Sequence, residues 1–175
     1  MNHLIDTNVL LAASAHVADD DRDVTPPDPR DREKVYLWLD AFVRSDELWV
    51  LDGVGEIFKE YNKKQSHQDY SLLALLEKQS RSQVVDVDVE FDQHGHAVLP
   101  AHLGEIRWDK SDKMFVAAGL QVVAMGDPVQ IVNSADTDWY DVAHVLHAEG
   151  IGLIHLIDEW CRSKYREKYG CEPPV

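Results

Sequence analysis

Five acidic residues fall where short apolar runs give way to polar turns or open a new periodic segment. Asp6 follows His3-Leu4-Ile5, Glu56 comes shortly after Leu48-Trp49-Val50-Leu51, Asp112 stands near the start of the segment 109–123, and Asp136 and Asp138 follow the run 129–133. If those runs are parallel strands, these side chains can gather beyond the carboxyl ends, where open α/β sheets bind ligands. Carboxylates packed together repel, and unpaired charge there is costly. A divalent cation normally neutralises such a group, and an oxygen-only donor set points to Mg2+ or Mn2+ rather than zinc. Each acid alone has a plainer reading. Asp6 suits an Asx turn or helix cap, Glu56 a solvated helix acid paired with Lys59, Asp112 an acid favoured by a helix dipole, and Asp136 and Asp138 ordinary turn residues.

The elements that would position these acids follow from periodicity. Residues 3–13 read as a very short strand, the polar turn Asp6-Thr7-Asn8 and a helix. A polar loop spans 19–32, where Pro26, Pro27 and Pro29 forbid a helix interior. Val35, Trp38, Leu39 and Phe42 mark a helix over 31–44. Residues 48–51 form a buried strand. A helix over 52–64 carries the stripe Val54, Ile57, Phe58 and Tyr61, and another over 70–80 carries Leu72, Leu73, Leu75 and Leu76. In 85–92 apolar and acidic residues alternate strictly, as in a half-buried strand whose wet side holds residues 86, 88, 90 and 92. Residues 93–96 form a turn and 97–99 return as a hairpin, so 84–105 is an insertion at a sheet edge or flank. Then come a helix over 109–123 with Phe115, Val116, Gly119 and Leu120 inward, a strand over 129–133, a helix over 139–148, a strand over 152–156 and a basic helix over 158–169. Strands alternating with helices predict a three-layer α/β/α sandwich around a mostly parallel sheet, with the insertion added.

Composition bounds the rest. A chain of 175 residues, 45% hydrophobic and 28% charged, suits a single globular domain spanning 1–175. No apolar run approaches the roughly 18 residues of a membrane span, and the first residues lack the features of a signal peptide. Only Cys161 and Cys171 are present, which excludes a disulfide framework or four-cysteine zinc site and favours a cytoplasmic setting. The net charge of −15 disfavours passive binding to phosphate backbones or anionic membranes, so a nucleic-acid partner requires metal ions or a local basic patch. The leading patch combines Arg162, Lys164, Arg166 and Lys168 with Lys59, Lys63 and Lys64. Asp141, His144 and His147 share a helix face and His94 and His96 flank Gly95, but a solvated face and a polar turn explain them more simply than zinc.

Three strings then carry a family resemblance. Leu4-Ile5-Asp6-Thr7-Asn8-Val9-Leu10-Leu11 resembles the opening of the PIN-domain nucleases. Ser111-Asp112-Lys113-Met114-Phe115-Val116-Ala117-Ala118-Gly119 resembles their third acidic motif, and Val132-Asn133-Ser134-Ala135-Asp136-Thr137-Asp138-Trp139 their fourth. Glu56 stands where the second acid belongs, in a weaker local motif. The resemblance implies a VapC-like, Mg2+- or Mn2+-dependent endoribonuclease with Asp6, Glu56, Asp112 and Asp136 as catalytic, metal-binding acids and Asp138 assisting. It implies Asn8 and Ser134 as residues that direct the carboxylates, with Lys110 and Lys113 placed to meet phosphate. RNA, or alternatively DNA, is the implied substrate. A toxin or defence role, an antitoxin partner and a homodimer are further implications. The chain departs from compact toxin members in its length, its insertion and its acidity. A catalytically silent PIN-like binding module is the alternative. A phosphatase of the haloacid dehalogenase type, suggested by Asp136-Thr137-Asp138, ranks below both, because that family places the pair after its first strand.

Overall fold

The computed structural model describes residues 1–18, 25–64, 69–106 and 108–174. Strand β1 (Asn2–Ile5) leads into α1 (Thr7–Ala18), and α2 (Pro29–Arg44) into β2 (Leu48–Asp52). Next come α3 (Glu56–Lys64), α4 (Tyr70–Ser80) and β3 (Val84–Val87), then α5 (Ala101–Gly104), α6 (Lys110–Ala124), β4 (Val129–Asn133), α7 (Trp139–Ala148), β5 (Ile151–His155) and α8 (Asp158–Tyr169). The five strands form one sheet in the order β3-β2-β1-β4-β5, and every pairing is parallel.

That order sets where a ligand can bind. The chain steps from β1 to β2 to β3 in one direction, then crosses back to β4 and β5. Right-handed crossovers in opposite directions put their helices on opposite faces. Helices α1, α2 and α4 pack on one another, while α6 touches all five strands, an arrangement compatible with a three-layer sandwich. The reversal lies between β1 and β4, paired from Asn2 with Val129 to Ile5 with Val132. Both strands are largely buried, with Leu4, Ile5, Ile131 and Val132 each at 0% exposure, so their carboxyl ends hold rigid positions.

Several expected boundaries shift, for local reasons. Helix α2 begins at Pro29, inside the expected loop 19–32. Proline suits a first helical position, where no N–H is needed, and the Asp28 carboxylate caps the helix by accepting from the Arg30 N–H at 2.9 Å. The part of that loop at 19–24 lies outside the described residues. Helix α3 starts at Glu56 rather than at 52, because Asp52 ends β2 and caps α3, accepting from the N–H groups of Glu56 at 2.8 Å and Ile57 at 2.6 Å. Ile57 and Tyr61 of the expected stripe are buried, whereas Val54 and Phe58 are exposed. In α4, Leu72 and Leu75 turn inward and Leu73 and Leu76 outward.

The largest correction concerns 84–105. Residues 84–87 are not an insertion but the edge strand of the sheet, in register from Trp49 with Val84 to Asp52 with Val87. The strand stops at Val87 because β2 has ended and no neighbour remains to bond. Beyond it Val89 stays buried and Glu90 and Asp92 exposed, but the expected hairpin is reduced to a single antiparallel bridge between Phe91 and Ala97.

Candidate active site at the carboxyl edge of the sheet

Asp6 is the first residue beyond β1, and its N–H donates to the Val132 carbonyl of β4 at 2.9 Å. It is 7% exposed. Its Oδ1 accepts from the Asn8 N–H at 3.1 Å, and its Oδ2 from the Trp139 indole N–H at 2.6 Å. The carboxylate is thus fixed by α1 behind it and α7 beside it.

The turn after β4 is held as tightly. The Asn133 amide donates to the Asp136 carbonyl at 2.7 Å while its carbonyl accepts from the Asp136 N–H at 3.0 Å. Oδ1 of Asp136 accepts from the Asp138 N–H at 2.8 Å. Asn8 and Ser134, expected to bond the carboxylates, bond each other. Oδ1 of Asn8 accepts from the Ser134 N–H at 2.8 Å, the Ser134 hydroxyl at 2.7 Å and the Ala135 N–H at 3.3 Å. They orient the acids by joining the turns that carry Asp6 and Asp136. The buried Cys161 thiol donates to the Ser134 carbonyl at 2.9 Å, and burial pushes it up to about 12.

The first turn of α6 completes the site. Asp6, Asp112, Asp136 and Asp138 line one depression of about 380 Å3, together with Thr7, Asn8, Asp109, Ser111 and Lys168. Burial, followed by repulsion from Asp6 and Asp136, pushes the Asp112 carboxyl up to about 8, so it holds a proton at neutral pH. Burial, then the neighbouring Asp138, also raises Asp136. Lys168 of α8 supplies counter-charge, with Nζ 2.5 Å from Oδ1 of Asp138. Thr7 is 4% exposed, and its buried hydroxyl oxygen has no partner among the described residues. Asp109, Asp112 and Asp138 also border a second depression of about 440 Å3, which extends to Tyr169.

Other expected members lie elsewhere. Glu56 does not line the acid depression. It borders a separate hollow with Glu60, Lys63 and Lys110, on the other side of Asp109 and Ser111, and its carboxylate pairs with Lys59 at 2.5 Å. Lys110 therefore stands beside Glu56, and Lys113 lines none of the described depressions. Most of the expected basic patch is neutralised by ion pairs: Arg162 with Asp158, Lys164 with Glu167, Arg166 with Glu172, Lys63 with Glu60. The side chain of Lys64 lies outside the described residues. Asp141 accepts from the Tyr165 hydroxyl at 2.5 Å, and His144 and His147 are exposed. Sequence reasoning missed Asp109, the Thr7 hydroxyl and the Trp139 bond to Asp6. Asp109 carried a signal, a second acid in the stretch Asp109-Lys110-Ser111-Asp112.

A hard cation fits the chemistry of the depression. Its carboxylate and hydroxyl ligand atoms are all oxygen, burial followed by repulsion from Asp6 and Asp136 keeps a proton on Asp112, and the buried Thr7 hydroxyl oxygen has no partner among the described residues. That proton and the Lys168 ammonium offset only part of the charge of Asp6, Asp109, Asp112, Asp136 and Asp138. Among the described residues no three His, Cys, Asp or Glu side chains are grouped so as to hold a metal ion. Compared with models of protein families, with curated proteins and with solved structures, the chain matches none.

Proposed function

We propose that the chain is a Mg2+- or Mn2+-dependent phosphodiesterase that cleaves RNA, a PIN-like nuclease in mechanism. One observation carries this reading: Asp6, Asp112 and Asp136, from three different crossovers, share one depression at the point where strand order reverses. Nothing in the folding of the sheet calls for an acid buried beside two others so that it stays protonated near neutral pH. The ion would be held by Asp6, Asp112 and Asp136, with Asp138 beside them and Glu56 outside the set. When bound, it screens the carboxylates from a phosphate and polarises the phosphoryl oxygen.

The protein's own residues do the positioning. Trp139 and the Asn8 N–H aim the Asp6 carboxylate, and the Asn8–Ser134 bonds fix the distance between the Asp6 and Asp136 turns. Asp112 would give up its proton to hold a cation, and Lys168, paired with Asp138, would be free to face a phosphate once that pair opened. A second reading, a catalytically silent binding module, is favoured by the lack of a ready three-ligand group among the described residues. Incubation of single-stranded RNA with Mn2+ separates the two. Cleavage by the wild type and its loss in Asp6→Asn and in Asp112→Asn support the nuclease. Equal activity in all three, or none in any, favours the silent module.

A further inference from the structure

The second depression differs in character from the first. Its volume of about 440 Å3 falls within the roughly 300–1,000 Å3 of small-ligand sites. The shared carboxylates and Asp141 form one wall, and Ile106, Trp108, Trp139, Val142 and Tyr169 form the rest. Tyr169 is 45% exposed, although it packs on Tyr165 with ring centroids 4.6 Å apart. Its neighbour Lys168 lines the acid depression, and the Lys168 ammonium lies over the Tyr169 ring, with Nζ 4.9 Å from the ring centre. Successive residues in the last turn of α8 thus deliver an ammonium group to one depression and an aromatic ring to the next.

We infer, resting on the nuclease reading above, that the second depression binds an unstacked nucleobase next to the phosphate held at the acids. The substrate is then single-stranded, because a base inside a duplex is stacked on both sides and cannot enter. Aromatic rings take any base by its face, and the Lys168 ammonium, which lies over the Tyr169 ring, uncovers that face as it turns to the phosphate. The polar wall is made of carboxylates, which accept hydrogen bonds. Bases that present amino donors, such as guanine, suit it, whereas uracil turns carbonyls toward it on both sides of its one N–H donor.

The test uses the full chain and a nuclease-resistant phosphorothioate oligonucleotide carrying 2-aminopurine, whose fluorescence falls on stacking. With Mg2+ present, the wild type quenches the probe. Tyr169→Ala weakens binding by roughly tenfold and removes the quenching, while Tyr169→Phe preserves both. A matched duplex and an oligouridine bind at least several-fold more weakly. Unchanged affinity and quenching in Tyr169→Ala would overturn the inference, as would equally tight binding of the duplex. Tyr169-dependent binding of spermine with no single-strand binding would also overturn it, by making the depression a cationic-amine site. Thermal melting of each variant checks that it is folded. If the wild type cleaves RNA and Tyr169→Ala binds normally, this inference fails and the nuclease reading stands. If the probe binds through Tyr169 with no cleavage under any cation, the nuclease reading fails and this one stands.

Discussion

The indole N–H of Trp139 donates to Oδ2 of Asp6 at 2.6 Å, joining residues 133 positions apart in the chain. Trp139 is 1% exposed and opens α7, so the bond ties the end of β1 to the helix that follows β4. A single rotamer of the Asp6 carboxylate is selected where the proposed chemistry needs one.

Trp139→Phe keeps a ring in the core and removes the donor. A buried carboxylate oxygen loses a hydrogen bond, which costs about 1–3 kcal/mol, and Asp6 gains rotational freedom. Urea denaturation should show the loss in stability, and calorimetric titration should show weaker Mn2+ binding. Unchanged values for both would show that the bond neither stabilises the fold nor aims Asp6.

Asn8→Ala deprives the Ser134 N–H, the Ser134 hydroxyl and the Ala135 N–H of their shared acceptor. The expected loss is about 2–3 kcal/mol, because partly buried donors are left unpaired. Asn8→Asp restores an acceptor oxygen and should recover part of it. Denaturation midpoints of the two variants check the order; equal midpoints would contradict the role given to Asn8.

Asp112 makes the stability of the cation-free protein depend on pH in an unusual direction. Its folded carboxyl titrates at about 8 and its ordinary value is 3.8. Below 3.8 both states are protonated and no penalty arises. Between 3.8 and 8 the unfolded chain ionises while the folded protein holds its proton, so this group's contribution to stability falls as pH rises. Asp112→Asn should match the wild type near pH 4 and melt about 3–8 °C higher near pH 8. Melting in EDTA across that range tests it, and an Asp112→Asn protein less stable at pH 8 would contradict it.

In the proposed mechanism Lys168 and the cation would compete for Asp138. The ion pair is half exposed and contributes only ~0.2–1 kcal/mol. Lys168→Ala should therefore tighten Mn2+ binding by about twofold to fivefold and leave the melting temperature nearly unchanged. If the same variant also loses RNA cleavage, Lys168 serves the phosphate as well as the acid. Weaker Mn2+ binding would contradict the competition.

Periodicity located the elements that carry the site well. Strand 129–133 and helices 139–148 and 158–169 have the expected bounds, since each is an uninterrupted pattern closed by clear turn residues. Asp6, Asp112, Asp136 and Asp138 were legible because each follows a strand or opens a helix, and all-parallel topology brings such positions to one edge. Glu56 illustrates the limit. Periodicity places it on a helix, but its direction depends on the Asp52 cap and the Lys59 pair. The alternation in 85–92 marks Val87 and Val89 as inward, yet it cannot reveal that β2 ends at Asp52 and leaves β3 without a partner. Lys78 was hidden for a similar reason. It is a fully buried residue of the leucine-rich helix itself, and its ammonium donates to the carbonyls of Ser45 at 2.9 Å and Glu47 at 2.8 Å, acceptors supplied by a distant loop.

The central claim is that carboxylates from separate crossovers together hold a hard divalent cation. Calorimetric titration of Mn2+ at pH 8 into the wild type, Asp6→Asn and Asp112→Asn addresses it most directly. The wild type should bind Mn2+ with partial proton release, since Asp112 is only part protonated at that pH, and both variants should bind at least tenfold more weakly while remaining folded. A folded wild type that takes up no Mn2+, or binds it no better than the two variants, would contradict the account.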